Sequence, residues 1–355
     1  MSHTAMSRTA ESWPIGAALL QFPGTLADGT SVQDAPVAHW AAVLREVAAA
    51  GFDHVDLTDS WLRPGDLPPE RLRRLAGVIE DSGLGVTAVS AVRRSVIDPD
   101  PEAAEAHLGY LLRTLDAAAE LGIPVVSVGL HRALTPAQLA AQWFWTESGA
   151  SDPPGDARMW QLAVERLAAL GRRAAGLGLQ LSLEMYEDTY LGTAAGAVAL
   201  VRDIGMPQVV GLNPDIGNLV RLHRPVENWE DMLRATLPHA NYWHVKNYYR
   251  DHDPATGAYF TVPAPAESGL INYRRALEMA LDAGFTGPLC VEHYGGDGLS
   301  VSAANRDYLR RILDVKLAAR ETAHGVAGAA GAGEARADGR GARPWEEREK
   351  REALR

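Results

Sequence analysis

Four short stretches of the chain carry residues that could do chemistry: LSLEMYE (181–187), VVGLNPD (209–215), NYWHVKN (241–247) and LCVEHY (289–294). Each reads as a β-strand, and successive side chains of a strand point to opposite faces. In a closed barrel every second residue therefore points inward. One parity turns Ser182, Glu184 and Tyr186 inward on the first stretch and Gly211, Asn213 and Asp215 on the second. It turns Tyr242, His244 and Lys246 inward on the third, and Cys290, Glu292 and Tyr294 on the fourth. Glu184, Asp215, His244 and Glu292 then face one another at matched depth on four successive strands. Three carboxylates in one barrel mouth repel strongly unless something neutralises them. Carboxylate oxygens with one imidazole suit a single divalent ion, Mn²⁺ first, with Mg²⁺, Co²⁺ and Zn²⁺ as alternatives. The plainer reading, four unrelated strand-end residues each solvated or salt-bridged, requires a coincidence of depth on four neighbours.

Eight apolar runs are available to hold these residues: 15–22, 52–59, 85–92, 123–130, 179–186, 208–215, 241–247 and 287–294. Most follow a helix-stop signal such as AAAGFD, DSGLG, AELGIP or DAGFTG. Between them lie Ala- and Leu-rich segments with apolar residues at three-and-four spacing. This alternation predicts a (β/α)₈ TIM barrel over residues 13–321 as a single catalytic domain. The other candidate, an open doubly wound sheet, lacks a GxGxxG turn after the first strand, where PGTLADGT follows instead. Residues 1–12 read as a flexible N-terminus. Residues 322–355, rich in Ala, Gly, Arg and Glu, read as a disordered tail with a short helix near WEEREKREAL. Two long connections, 131–157 and 248–270, leave the C-terminal ends of strands, where barrels build their sites.

Composition bounds the partners. With 355 residues, a net charge of −11 and a pI near 5.5, the chain has no basic face for nucleic acid. The N-terminus lacks an apolar signal region, and no stretch approaches a membrane span of about 20 apolar residues. Cys290 is the sole cysteine, so no internal disulfide forms, in keeping with a cytoplasmic protein.

From about residue 13 to 320 the sequence resembles the xylose-isomerase-like TIM-barrel superfamily, which includes sugar isomerases, tagatose-type 3-epimerases, hydroxypyruvate isomerase, inosose dehydratase and endonuclease IV. The matching pieces are SLEMYE, GLNPDIGN, WHVKNYYR and CVEHYGGD, in the order of the epimerase branch's four metal-ligand strands. The resemblance implies that Glu184, Asp215, His244 and Glu292 bind one Mn²⁺ or similar ion, and that Glu184 and Glu292 exchange protons with the substrate. It also implies that Lys246 and Arg250 face the substrate. The epimerases usually carry a His three residues after the metal-binding Asp, where this chain has Asn218. An Asn can hydrogen-bond a sugar hydroxyl but cannot serve as a cation.

The chemistry expected of such a site is proton abstraction beside a carbonyl, with the metal stabilising the enediolate. Returning the proton to the opposite face gives epimerisation, and to the next carbon isomerisation. Loss of a β-substituent would instead make the enzyme a lyase, acting on a 3-oxo-glycoside or an inosose-type ketone. The loop AQWFWTESG favours that alternative if Trp143 and Trp145 stack on the substrate as a lid. His131, at the end of the fourth run, is placed to meet substrate. His54 and Asp56 on the second run turn inward, His54 deeper than the mouth. The expected partners are a small carbohydrate, with no nucleic acid or membrane, and either a second copy of the chain or a small partner subunit. A barrel reduced to a binding subunit is disfavoured because all four presumed ligands are present. An endonuclease is disfavoured because its chemistry uses a cluster of three zinc ions with several additional histidines, and this acidic chain lacks an evident basic face for DNA.

Overall fold

The computed structural model describes residues 8–334. Eight parallel strands form the barrel: β1 (Ile15–Ala18), β2 (His54–Thr58), β3 (Gly85–Ser90), β4 (Val125–Val128), β5 (Gln180–Glu184), β6 (Val210–Asn213), β7 (Trp243–Val245) and β10 (Leu289–Val291). Their order is β6-β5-β4-β3-β2-β1-β10-β7. The ring closes between its ends through a Leu212–Ala240 bridge and the Asn213 side chain, which accepts from the His244 N–H at 2.8 Å. The expected (β/α)₈ barrel is the one observed.

The helices outside it are α1 (Val37–Ala49), α2 (Pro69–Ser82), α3 (Pro101–Glu120), α4 (Pro136–Ala140), α5 (Ala157–Leu177), α6 (Ala194–Ile204), α7 (Gly217–Val220), α8 (Trp229–Thr236), α9 (Tyr273–Asp282) and α10 (Gly298–Glu334). The four stop signals in the sequence work as read: Gly51, Gly83, Gly122 and Gly284 all have φ between 69° and 85°. That left-handed backbone costs glycine nothing and ends each helix where a strand must begin. At the other ends, Asp100, Asp156, Thr193, Asn228 and Asn272 cap helices α3, α5, α6, α8 and α9 by accepting from first-turn N–H groups.

Alternation along the strands splits the core in two. Ile15, Val55, Leu57, Leu181, Leu183, Leu212, Trp243 and Val245 pack outward against helices. Inside the barrel, Ala18, Ala88, Val125, Tyr242 and Cys290 form a separate small cluster. Above it the interior turns polar toward the C-terminal mouth, with Asp56, Ser90, Ser127, Ser182 and Asn213 all buried.

One segment differs from the sequence reading: the connection expected over 248–270 contains an antiparallel hairpin, β8 (Asn247–Asp253) with β9 (Ala258–Ala264), turning through Gly257 at φ 73°. Of the segment expected over 1–12, residues 1–7 lie outside the described residues, and the Arg310 guanidinium donates to the Ala10 and Glu11 carbonyls at 2.6 Å. Of the tail expected over 322–355, helix α10 continues as far as Glu334 and the rest lies outside the described residues. No helix among the described residues is long and apolar enough to cross a membrane.

Candidate active site and metal centre

The strand parity brings the four predicted side chains to one place. Glu184 is the last residue of β5, Asp215 lies two beyond β6, His244 is central in β7 and Glu292 follows β10. All four are buried. His244 Nδ1 stands 2.9 Å from Glu292 Oε1, 3.7 Å from Asp215 Oδ2 and 3.8 Å from Glu184 Oε1. Glu184, Asp215 and His244 each offer a ligand atom, all within 4.8 Å of one another. Asp215 Oδ1 is buried without a hydrogen-bond partner. An orphaned acceptor of this kind is rare in native interiors, and this one lies in a carboxylate-imidazole cluster whose His244 Nδ1 faces three carboxylates. The donor set fits a hard or borderline divalent cation.

Lys246, one strand repeat beyond His244, places Nζ 2.6 Å from both Asp215 Oδ2 and Glu292 Oε2. Its stem needs the space left by Gly217, where an added Cβ would meet Lys246 Cγ at 2.5 Å. Asn218 does more than face a sugar hydroxyl. Its amide nitrogen lies 3.1 Å from Glu184 Oε1, 3.1 Å from Asp215 Oδ2 and 3.0 Å from the Met185 carbonyl. It therefore ties two presumed ligands together.

These surroundings separate the two glutamates. Burial raises Glu184 to about 7, against the opposing pull of His244. Burial would raise Glu292 as well, but Lys246 and His244 outweigh it and hold that carboxyl well below its ordinary value. His244 is lowered by burial and raised more by Glu292, Asp215 and Asp56, and ends well above its usual range.

Behind His244 stands a second layer. Nε2 is 3.2 Å from Ser90 Oγ, and Ser90 donates at 2.7 Å to Asp56, which also accepts from Tyr242 Oη at 2.5 Å. Asp56 thus points inward as expected. His54, the first residue of β2, is half-buried beside Asp53 at 3.0 Å, away from the mouth.

The carboxylates open into a cavity of about 230 Å³, walled by Glu184, Asn218, Lys246, Glu292, His131 and Phe144 among others. His131 is stacked on Tyr186 with ring centres 4.2 Å apart. Burial, then Arg93, Arg221 and Lys246, depress it well below its normal value, so it stays neutral.

Three sequence-predicted substrate contacts lie elsewhere. Trp143 and Trp145 stack on each other at 5.0 Å, and Trp145 meets Tyr248 and Tyr294 edge-on. Trp145 is buried against the hairpin through Tyr248 and Thr261, Trp143 is half-buried on top of it, and Phe144 between them reaches the cavity instead. Arg250 is turned away by the hairpin, its guanidinium satisfied by the carbonyls of Val220, Leu222 and Arg224. Arg93, Thr58 and Ser60 line the cavity and were not singled out in the sequence. Their signal was position alone, at the C-terminal ends of the second and third strands.

The xylose isomerase-like TIM barrel family matches residues 44–312 of the chain. The protein belongs to that family. A xylose isomerase-like TIM barrel protein from Mycobacterium smegmatis, solved in complex with magnesium, is 45% identical with a TM-score of 0.83, covering 87% of this chain and 99% of its own. L-ribulose-5-phosphate 3-epimerase of Escherichia coli is 24% identical, over 76% of this chain and 89% of its own length. D-psicose 3-epimerase of Agrobacterium fabrum is 24% identical over 59% of this chain and 68% of its own. Both of these curated relatives are sugar epimerases.

Proposed function

We propose that the protein is a divalent-metal-dependent epimerase or isomerase of a sugar or keto-sugar. The observation that carries this reading is the pairing of Glu184 and Glu292. They come from strands well apart in the barrel order, β5 and β10, and face one small cavity with His244 and Asp215 between them.

Glu184, Asp215, His244 and Glu292 would hold the ion, with Mn²⁺ the first candidate. When bound, the ion would polarise a substrate carbonyl and acidify the neighbouring C–H. Glu184 and Glu292, on opposite sides of His244, form the acid/base pair, one taking this proton and the other returning one. Its delivery to the opposite face epimerises the centre, and delivery to the next carbon isomerises. Asn218 fixes the Glu184 carboxylate for that step. Lys246 supplies positive charge where oxygen becomes anionic.

The cavity bears on the lyase alternative. At about 230 Å³ it lies below the ~300–1,000 Å³ typical of sites for drug-sized ligands. With Trp145 buried and Trp143 stacked on it outside the cavity lining, a small free sugar suits it better than a 3-oxo-glycoside with a bulky aglycone.

The test is elemental analysis of purified wild type and Asp215→Asn, followed by product analysis with the loaded enzyme. About one equivalent of metal in the wild type, lost in the variant, is expected, with products of unchanged mass. A wild type that stays metal-free after incubation with Mn²⁺ removes the basis of the reading, and release of water or an aglycone converts it to a lyase.

A further inference from the structure

The arginines around the barrel mouth are not alike. Arg94 faces Asp59 at 3.6 Å, Arg132 faces Asp152 at 3.4 Å, Arg221 faces Glu187 at 2.8 Å and Arg224 faces Asp188 at 2.7 Å. Arg93 has no carboxylate within ion-pair distance among the described residues. Its guanidinium donates to two neutral acceptors, the Arg132 carbonyl at 3.1 Å and Tyr186 Oη at 3.0 Å. It also lies over the Phe144 ring at 5.0 Å. These contacts fix the group in position and leave its charge uncompensated. Unlike Arg250, it lines the same cavity as Glu184 and Glu292.

The backbone supports a purpose for that placement. Arg93 has φ 56°, in the left-handed region that a long side chain rarely occupies. Such conformations persist where the surroundings over-determine them, and they cluster at ligand sites. Here the turn at the end of β3 sends Arg93 over the mouth and Arg94 back to Asp59.

The pairing of the other cavity cation points the same way, and this step rests on the metal-dependent reading above. Lys246 is already engaged by Asp215 and Glu292, and a divalent ion would take up those same carboxylates. Among the described residues, Arg93 is then the cavity-lining cation with no carboxylate partner. A substrate carrying an anionic group would supply that partner.

We propose that Arg93 anchors an oxyanion group of the substrate, a carboxylate or a phosphate, at the end of the sugar away from the reacting carbonyl. The natural substrate is then a sugar acid or a sugar phosphate. A guanidinium offers its donors in a fork that matches either group.

The test uses the full chain loaded with Mg²⁺, as wild type, Arg93→Gln and Arg93→Lys. Calorimetric titration with inorganic phosphate and with D-gluconate reads the anchor directly. Arg93→Gln is expected to weaken one of the two by about 10- to 100-fold, the worth of one or two charge-assisted hydrogen bonds. Arg93→Lys should recover part of that loss. Whichever probe loses more identifies the group, phosphate or carboxylate. Equal affinity of wild type and Arg93→Gln for both probes means that the ion holds the anion, and the proposal fails. It fails equally if neither probe binds the wild type at tens of millimolar. Exchange of substrate C–H for solvent deuterium, followed on neutral and phosphorylated ketoses, tests the reaction separately. Absence of exchange with Arg93-dependent anion binding intact overturns the epimerase reading and leaves the anchor standing.

Discussion

Replacing Arg221 by Met strands a carboxylate inside the protein, and the structure sets the size of the effect. The Arg221 side chain is fully buried and that of Glu187 is 6% exposed. One guanidinium nitrogen donates to both Glu187 oxygens, at 2.8 and 2.9 Å. The flat cation lies over Phe144 at 4.7 Å and over Trp145 and Tyr186 at 5.2 Å. The pair joins the segment after β5 to the segment after α7, and so braces Phe144 and Trp145 against the site. Breaking a buried pair by removing one partner costs about 3–5 kcal/mol, because the remaining charge keeps its desolvation penalty. Arg221→Met and Glu187→Leu should each show that loss in urea unfolding, as a lower midpoint at unchanged slope. The double variant carries no stranded charge and should lie within about 1 kcal/mol of wild type or above it. In Arg221→Met the loss should shrink toward acid pH, since the stranded Glu187 can take up a proton. A single-variant cost under about 1 kcal/mol, or a double variant losing the sum of the singles, refutes the argument.

Two further outcomes follow from the layers beneath and beside the site. Asp56→Asn disturbs the Ser90–Asp56 hydrogen bond that orients His244 from behind, and outer partners of this kind are worth about 10–100-fold in metal affinity. Titration with Mn²⁺ should show that loss, and an unchanged affinity would mean that Asp56 plays no part in holding the imidazole. Asp59, raised by burial from 3.8 to about 6 despite Arg94 nearby, binds its proton more tightly folded than unfolded. Its contribution is therefore present at low pH and lost as pH rises through that window, by about 3 kcal/mol in all. Asp59→Asn should accordingly gain on wild type as pH goes from 4 to 7 in unfolding measurements, whereas parallel stability curves would disprove the shift.

What the sequence could and could not convey follows from the range of each signal. Strand alternation is local, and with the matched depth of four strands it was enough to bring Glu184, Asp215, His244 and Glu292 together. The glycine stops were equally local, and Gly51, Gly83, Gly122 and Gly284 all take the backbone they imply. The hairpin over 247–264 has a local sign, since DPATG separates runs that contain Tyr, Phe and Val, but its charged residues resemble loop. Arg250 was misplaced for that reason, as the hairpin turns it toward backbone carbonyls. Arg93 gave no local sign, because its unpaired state depends on which carboxylates the other arginines take. Asn218 shows the limit most clearly. Judged alone, it is a weaker residue than the histidine that epimerases carry there. In place, its amide reaches both Glu184 and Asp215 while its oxygen stays buried without a partner. A histidine has a single N–H on each ring nitrogen and could not span both carboxylates from one atom. Asn218 is therefore coupled to Glu184, whose carboxylate it orients together with that of Asp215.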